Sequence, residues 1–385
     1  MNKDEVRLRA EAALGESSAP LEYFFAPGRV NIIGEHQDYN GGHVFPAALT
    51  VGIYGAIRRR PDRKVRLYSK NMGTLVEIDL DSPMKYEENW DWANYPIGII
   101  DYLVRSGQEL PGMDLYFEGD LPSGAGLSSS ACILDLTGFM IWSLLGIPVD
   151  RTALAEMAQQ VEYNFIGVKV GIMDQFAISQ GKAGHGVLLD CTAMKFELIP
   201  VTWDGCELII MNTNKRRGLV DSKFNERKEE CDQALAAIRR HRPISGLSLA
   251  EESDLEYIDN EIWRRRAKHA LTENKRVLRF IEALRRSDLT ELAEILNESH
   301  TSLKYDYEVS GRELDTIVEL ARKQEGCLAS RMTGAGFGGC AIALVRKEQV
   351  PEFMKQVSEK YNELIGTEPD MYHAVIGDGV HRLTV

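Results

Sequence analysis

The sequence predicts a two-domain protein of mixed helices and strands, and three observations carry that expectation. The chain has 385 residues, enough for about two domains that each bury a core. Apolar residues recur at helical spacing in some segments and cluster with β-branched and aromatic residues in others. Around Phe196 to Cys206 the pattern pauses in a turn with Pro200 and Gly205, just before the buried-strand pattern ELIIMNTN. The boundary falls there, giving domains of residues 1–200 and 201–385.

Asn2 to Leu14 alternates charged and apolar residues at helical spacing and predicts an N-terminal helix. Leu21 to Phe25 reads as a strand leading into a dense stretch, Ala26 to Pro46 (APGRVNIIGEHQDYNGGHVFP). That stretch holds Arg29, Glu35, His36 and Asp38 among Gly28, Gly34, Gly41 and Gly42. Glycines permit positive φ and close backbone approach, so the run suits a loop wrapped around a ligand or a polar surface turn. ALTVGIYGAIRRR and KVRLYSK predict strands, and WDWANYPIGIIDYLVRSG settles into an amphipathic helix. Trp90 and Trp92 at its start suit packing, or stacking on a base.

MDLYFEGDLP predicts a strand running into SGAGLSSSACILDLTGFMIWSLLG, where Gly124, Gly126 and three serines precede an apolar helix. Strand, glycine loop and helix N-terminus together make an anion site, because unpaired N–H groups and the positive dipole end face the ligand. The serines suit helix capping or ligation of a hard cation through oxygen. The pattern is not a Walker loop, since no GxxxxGK[ST] occurs. TALAEMAQQVEYNF is the next helix, with Glu162 at the edge of its apolar stripe, either a solvated rim residue or a carboxylate directed at a metal. Asp174 lies further on among Gly171, Ile172, Met173 and Phe176. A carboxylate in apolar surroundings must be paired or functional, so Asp174 is the candidate general base.

From Lys215 to Arg286 the pattern is helical and highly charged, its basic clusters interleaved with acids as on a solvated face. LTELAEILNESHTSL and GRELDTIVELARKQ are further helices. GAGFGG satisfies G-x-G-x-x-G, yet CAIALV after it reads as a strand rather than the helix of a dinucleotide site. It therefore predicts a glycine turn between two strands. A last helix (EQVPEFMKQVSEKYNELI) and strand (MYHAVIG) complete the pattern.

A formal net charge of −13 argues against a nucleic-acid or anionic-membrane partner. No apolar run is long enough to span a bilayer, and the N-terminus lacks a signal-peptide core, so the expected location is the cytoplasm. The six cysteines are scattered without a C-x-x-C pair, which predicts free thiols and no structural zinc.

The three glycine stretches, in this order, resemble the sugar-kinase branch of the GHMP kinases. GRVNIIGEHQDY matches the galactokinase signature at every fixed position, LPSGAGLSSSA the nucleotide motif and SRMTGAGFGGC the third motif. GVKVGIMDQ, HTSLKYDYEVS and RRRAKHALTENKRVL are similar as well, so the resemblance covers nearly the whole chain. It implies an α+β fold of two domains, the first like ribosomal protein S5 domain 2 and the second ferredoxin-like, with the site between them. It also implies ATP-dependent phosphorylation of the anomeric hydroxyl of galactose, with Mg²⁺, and no obligate protein partner. By motif position Glu35, His36 and Asp38, with Gln37 between them, would hold the sugar. Gly124, Ala125, Gly126, Leu127, Ser128, Ser129 and Ser130 would wrap the ATP phosphates, with Ser69 near the nucleotide. Ser130 and Glu162 would hold Mg²⁺, Asp174 would be the base and Arg29 its partner.

One departure stands out. Where the family usually carries a tyrosine that reaches a sugar hydroxyl, in SKFNERKEEC, this chain has Phe224. Related expectations are a kinase for N-acetylgalactosamine or arabinose, or a non-catalytic sugar and ATP sensor.

Overall fold

Segments with period-two apolar residues form two sheets, and the longer 3.6-period segments form the helices that cover them. The computed structural model describes residues 3–121, 126–215 and 220–384. The first half runs α1 (Lys3–Leu14), β1 (Glu22–Ile33), β2 (His43–Arg59), β3 (Lys64–Ser69), β4 (Thr74–Asp79), α2 (Asn94–Arg105) and β5 (Met113–Gly119). It continues with α3 (Ser129–Leu145), α4 (Arg151–Val161), α5 (Met173–Gln180), β6 (His185–Asp190) and β7 (Lys195–Pro200). The second half starts with β8 (Cys206–Asn212), α6 (Val220–Arg239), α7 (Glu261–Arg285), α8 (Leu289–Ser302) and α9 (Arg312–Arg322). Then come β9 (Cys327–Thr333), β10 (Cys340–Arg346), α10 (Val350–Ile365), β11 (Asp370–His373) and β12 (His381–Arg382).

The first sheet has the order β12-β1-β2-β5-β3-β4, with β6 joining β2 to β7. The second is β11-β8-β10-β9 and antiparallel throughout. α3 is apolar nearly all round because it is enclosed by the first sheet and by α2, α4 and α5. Leu134, Leu136, Met140 and Ile141 of α3 share one core with Ile97 and Ile100 of α2 and Leu115 and Phe117 of β5.

β8 shows how the two halves join. Ile209 and Met211 face a core shared with α6, α7, α9 and α10, whereas Leu208 and Ile210 face the first sheet. There they meet Val30, Ile32, Ile33 and Phe45, with Val277, Phe280 and Ile281 of α7 filling the seam. A strand buried on both faces has no polar alternation, which is why ELIIM reads as a continuous apolar run. Apolar surface therefore runs unbroken between the sheets, so the loops at the seam are held from both sides.

Several sequence expectations change. Ala26 to Pro46 is mostly strand: β1 runs to Ile33 and β2 starts at His43, leaving Gly34 to Gly42 as the connecting loop. The pairing shifts register between Pro27 and Arg29, so the strand keeps Val30 and Ile32 inward despite Pro27 and Gly28. The pause predicted around Phe196 contains β7, whose polar outer face hid its pairing with β6. β4, α5 and β12 are further elements that the sequence did not signal. β12 brings the C-terminal segment back to β1, pairing Phe24 with Arg382. All six cysteines are free, and no helix among the described residues is long and apolar enough to cross a membrane.

Candidate active site

Three glycine-bearing segments meet in one cleft of about 260 Å³: the end of β1, the start of α3, and the turn between β9 and β10. Arg29 on β1 lies at their junction. Its Nε and Nη2 donate to the two oxygens of Asp174 at 2.8 and 2.9 Å, and its Nη1 donates to the Gly126 carbonyl at 2.7 Å. The guanidinium is 4% exposed and the carboxylate 29%, so the pair presents its acidic end to the cleft. A fork-to-fork pair fixes orientation as well as charge. Ser128 donates its hydroxyl to Asp174 Oδ2 instead of capping α3, and its backbone takes the left-handed conformation (φ 62°). The third stretch supplies Gly334, at φ 81°, where an added Cβ would lie 3.6 Å from Arg29 Nη2. Only a residue tolerant of positive φ fits there.

The Gly34 to Gly42 loop sends its side chains in two directions. His36 and Asp38 line the cleft. Asp38 accepts from the backbone N–H of Tyr39 at 3.0 Å and of Met173 at 3.3 Å. Burial, and then the neighbouring charge of Asp174, push its carboxyl up to about 6. Gly171 makes this approach possible: a Cβ there would fall 2.1 Å from Asp38 Oδ2. His36 has positive φ and is held almost wholly within the protein, where burial lowers its imidazole to about 3.

Glu35 and Gln37, expected against a sugar, point the other way. Glu35 is fully buried, ion-paired with Arg331 of β9, and accepts from the Gly334 N–H at 3.2 Å. Burial outweighs Arg331 in raising its carboxyl above the ordinary range. Gln37 is likewise buried, its Oε1 accepting from Ser248 at 2.6 Å. Neither lines the cleft, because successive residues of the tight loop diverge and these two anchor it to the second half.

At the other wall, Gly126, Leu127, Ser128, Ser129 and Ser130 line the cleft, with Ser129 exposed at the first turn of α3. Gly124 and Ala125 lie outside the described residues. Glu162 also lines the cleft, yet it is buried rather than a solvated rim residue. It opens a π turn, Glu162–Ile166, that ends α4, and it accepts from Gln175 Nε2 at 2.7 Å. Such turns redirect side chains at functional sites. Ser69 does not line the cleft; its hydroxyl accepts from the Met72 N–H in the turn to β4. Trp92 donates to Thr74 at 2.8 Å and packs on Phe117, and Trp90 packs against the same core.

Phe224 of α6 lines the cleft, its ring 5.7 Å from His36 and 5.4 Å from Tyr39. Sequence reasoning missed Tyr39, Tyr95, Gly171 and Ala335 as cleft residues. Tyr39 and Gly171 lie inside motifs already noticed, beside residues with stronger chemical signals.

Three family models match the chain: the galactokinase galactose-binding signature over residues 11–59, the GHMP kinases N terminal domain over 94–182 and the GHMP kinases C terminal model over 280–363. Galactokinase from Clostridium beijerinckii is 46% identical over 367 residues, 94% of each chain. Galactokinase from Bacillus subtilis is 45% identical over 388 residues, 99% of each chain. The structure superposes on Lactococcus lactis galactokinase complexed with galactose with a TM-score of 0.95, at 42% identity over 99% of both chains. Methanococcus jannaschii mevalonate kinase, 19% identical with a TM-score of 0.67 over 94% of this chain and 100% of that one, shares the fold. With its motifs gathered in one cleft and similarity along its whole length, the chain belongs to the galactokinase family of the GHMP kinases, with their two-domain α+β fold.

Proposed function

We propose that the chain transfers the γ-phosphoryl group of ATP to the anomeric hydroxyl of galactose, giving galactose 1-phosphate and ADP. The observation that carries this reading is the Arg29–Asp174 pair at the junction of the three glycine segments. Asp174 takes the anomeric proton as the oxygen bonds to phosphorus, and the bond to the β-phosphate oxygen breaks toward ADP. Arg29 fixes the base and offsets charge on the transferring group. Asp38 and His36 orient the sugar, and Ser128 to Ser130 with the α3 N-terminus receive the phosphates.

Mg²⁺ suits the same wall. Ser130 and Glu162 both present oxygen there, and Mg²⁺ prefers one or two protein oxygens alongside substrate phosphates. Those two residues would hold it, and it would neutralise phosphate charge. The protein acts in the cytoplasm in this reading, and residues 1–200 and 201–385 are its two domains.

Phe224 bears on the sugar preference. It packs against His36 and Tyr39 without a hydroxyl to offer. Phe224→Tyr is expected to change kcat/KM for galactose relative to its analogues by about two- to tenfold, one hydrogen bond's worth. Identical profiles would make that hydroxyl irrelevant here. The experiment that tests the function is ADP release with Mg-ATP and a panel of monosaccharides including N-acetylgalactosamine and arabinose. Galactose is expected to give the highest kcat/KM. A preference for another sugar would reassign the substrate, and no sugar-stimulated ADP would favour a sensor.

A further inference from the structure

Behind His36 lies a chain of hydrogen bonds that the proposed chemistry does not use. His36 Nδ1 is 2.7 Å from the Tyr39 hydroxyl, which is 2.8 Å from the Tyr307 hydroxyl, itself 3.1 Å from Cys231 Sγ. Asn40 Nδ2 donates to the His36 carbonyl at 2.7 Å and to the Tyr307 hydroxyl at 3.4 Å. Tyr307 is wholly buried at the end of a second π turn, Leu303–Tyr307, after α8, and its ring lies 4.8 Å from that of His36. The loop, α6 and the turn after α8 each contribute a member, so the chain ties three elements to one imidazole.

We infer that Tyr39, itself held by Tyr307, is a positioning residue that keeps His36 as the neutral tautomer with its proton on Nε2. The direction of the chain comes from acid and base strength. A phenol is a better acid than a neutral imidazole N–H, and an imidazole nitrogen is a better acceptor than a phenol oxygen. Tyr39 therefore donates to Nδ1. Its oxygen then accepts from Tyr307, whose own oxygen accepts from Asn40. Each bond polarises the next, which strengthens the series.

The other ring nitrogen agrees with this order. Nε2 is buried and makes no hydrogen bond among the described residues, while His36 lines the cleft together with Ala335. Arg227 and His269 disfavour a charged ring, Glu273 favours it, and burial dominates, so the ring stays neutral. His36 thus holds an N–H without a partner among the described residues, in a side chain that lines the cleft, matched to an acceptor oxygen of the sugar. This deepens the proposed function and rests on it for the identity of that oxygen.

The test pairs a spectroscopic with a kinetic measurement on the full chain. In protein labelled with ¹⁵N-histidine, with His36 assigned through His36→Gln, the expected signal is Nε2 protonated and Nδ1 bare. Tyr39→Phe should mix the tautomers and raise KM for galactose about three- to tenfold, with kcat within about twofold. Tyr307→Phe, which leaves the Tyr39 bond in place, should keep the Nε2–H signal and raise KM less. A wild-type signal with the proton on Nδ1 would overturn the inference. So would a Tyr39→Phe protein whose tautomer and KM are both unchanged. The expected tautomer in a chain that does not phosphorylate galactose would sink the sugar reading and leave the relay standing.

Discussion

The two walls of the cleft are built on opposite principles. On the wall assigned to the sugar, Asp38 already has two backbone N–H partners, and its loop is anchored from behind by Glu35 on Arg331 and Gln37 on Ser248. On the wall assigned to the phosphates, Ser129 is exposed and Ser130 half-buried at the open first turn of α3. A small neutral ligand with many hydroxyls needs fixed geometry, since each hydrogen bond contributes little. A multiply charged ligand is drawn in by a helix terminus and brings its own counter-ion. Arg29 and Asp174 sit where the two walls touch.

The comparison breaks most visibly at that seam. Asp174→Ala or Arg29→Ala should lower kcat by about 10²–10⁴-fold while circular dichroism shows a folded chain; near-normal turnover would remove either residue from the chemistry. Next is Gly171→Ala, whose Cβ would intrude on Asp38. It should reduce kcat/KM for the sugar roughly 10- to 100-fold and leave the KM for ATP alone. Equal effects on both substrates would deny that the walls are separable.

Asp38 gives the sugar wall a pH dependence. Its carboxyl is raised to about 6, so the ionised acceptor is lost as pH falls through that value. We expect kcat/KM for galactose to drop below about pH 6, approaching tenfold per unit, and Asp38→Asn to lack that limb. The smallest effect lies behind the phosphate wall. Asp135 of α3 is wholly buried, neither oxygen has a partner among the described residues, and burial followed by the Glu162 charge raises its pKa well above the ordinary range. In the folded chain it keeps its proton to higher pH than in the unfolded chain, where it ionises above pH about 4. Stability is therefore lost as pH rises, by up to about 1.4 kcal/mol per unit. Asp135→Asn should be the more stable protein at pH 8 and show a smaller advantage at pH 4, with kcat unchanged; a constant difference would contradict the assignment.

Much of this was legible in the sequence, for physical reasons that also mark its limit. β8 and α3 were readable because burial on all sides leaves an unbroken apolar pattern. Asp174 was readable because a carboxylate among apolar residues calls for a partner, and Arg29 is that partner. GAGFGG was correctly a turn between strands, since β9 leads into it and β10 comes directly after it. The hidden elements depend on long-range pairing. β7 has a polar outer face, and β12 is two residues long, defined by its contact with β1. Glu35 and Gln37 differ from His36 and Asp38 only in which way a tight loop turns them, and no local pattern records that.

The most direct test of the account is the position of the phosphate in the product. Wild-type chain, Mg-ATP and ¹³C-galactose are followed by ³¹P and ¹³C NMR, beside Asp174→Asn under the same conditions. We expect phosphorus coupled to the anomeric carbon in the first sample and no phosphorylated sugar in the second. Phosphate on any other carbon, or equal product from both proteins, would contradict the placement of the anomeric hydroxyl at Asp174.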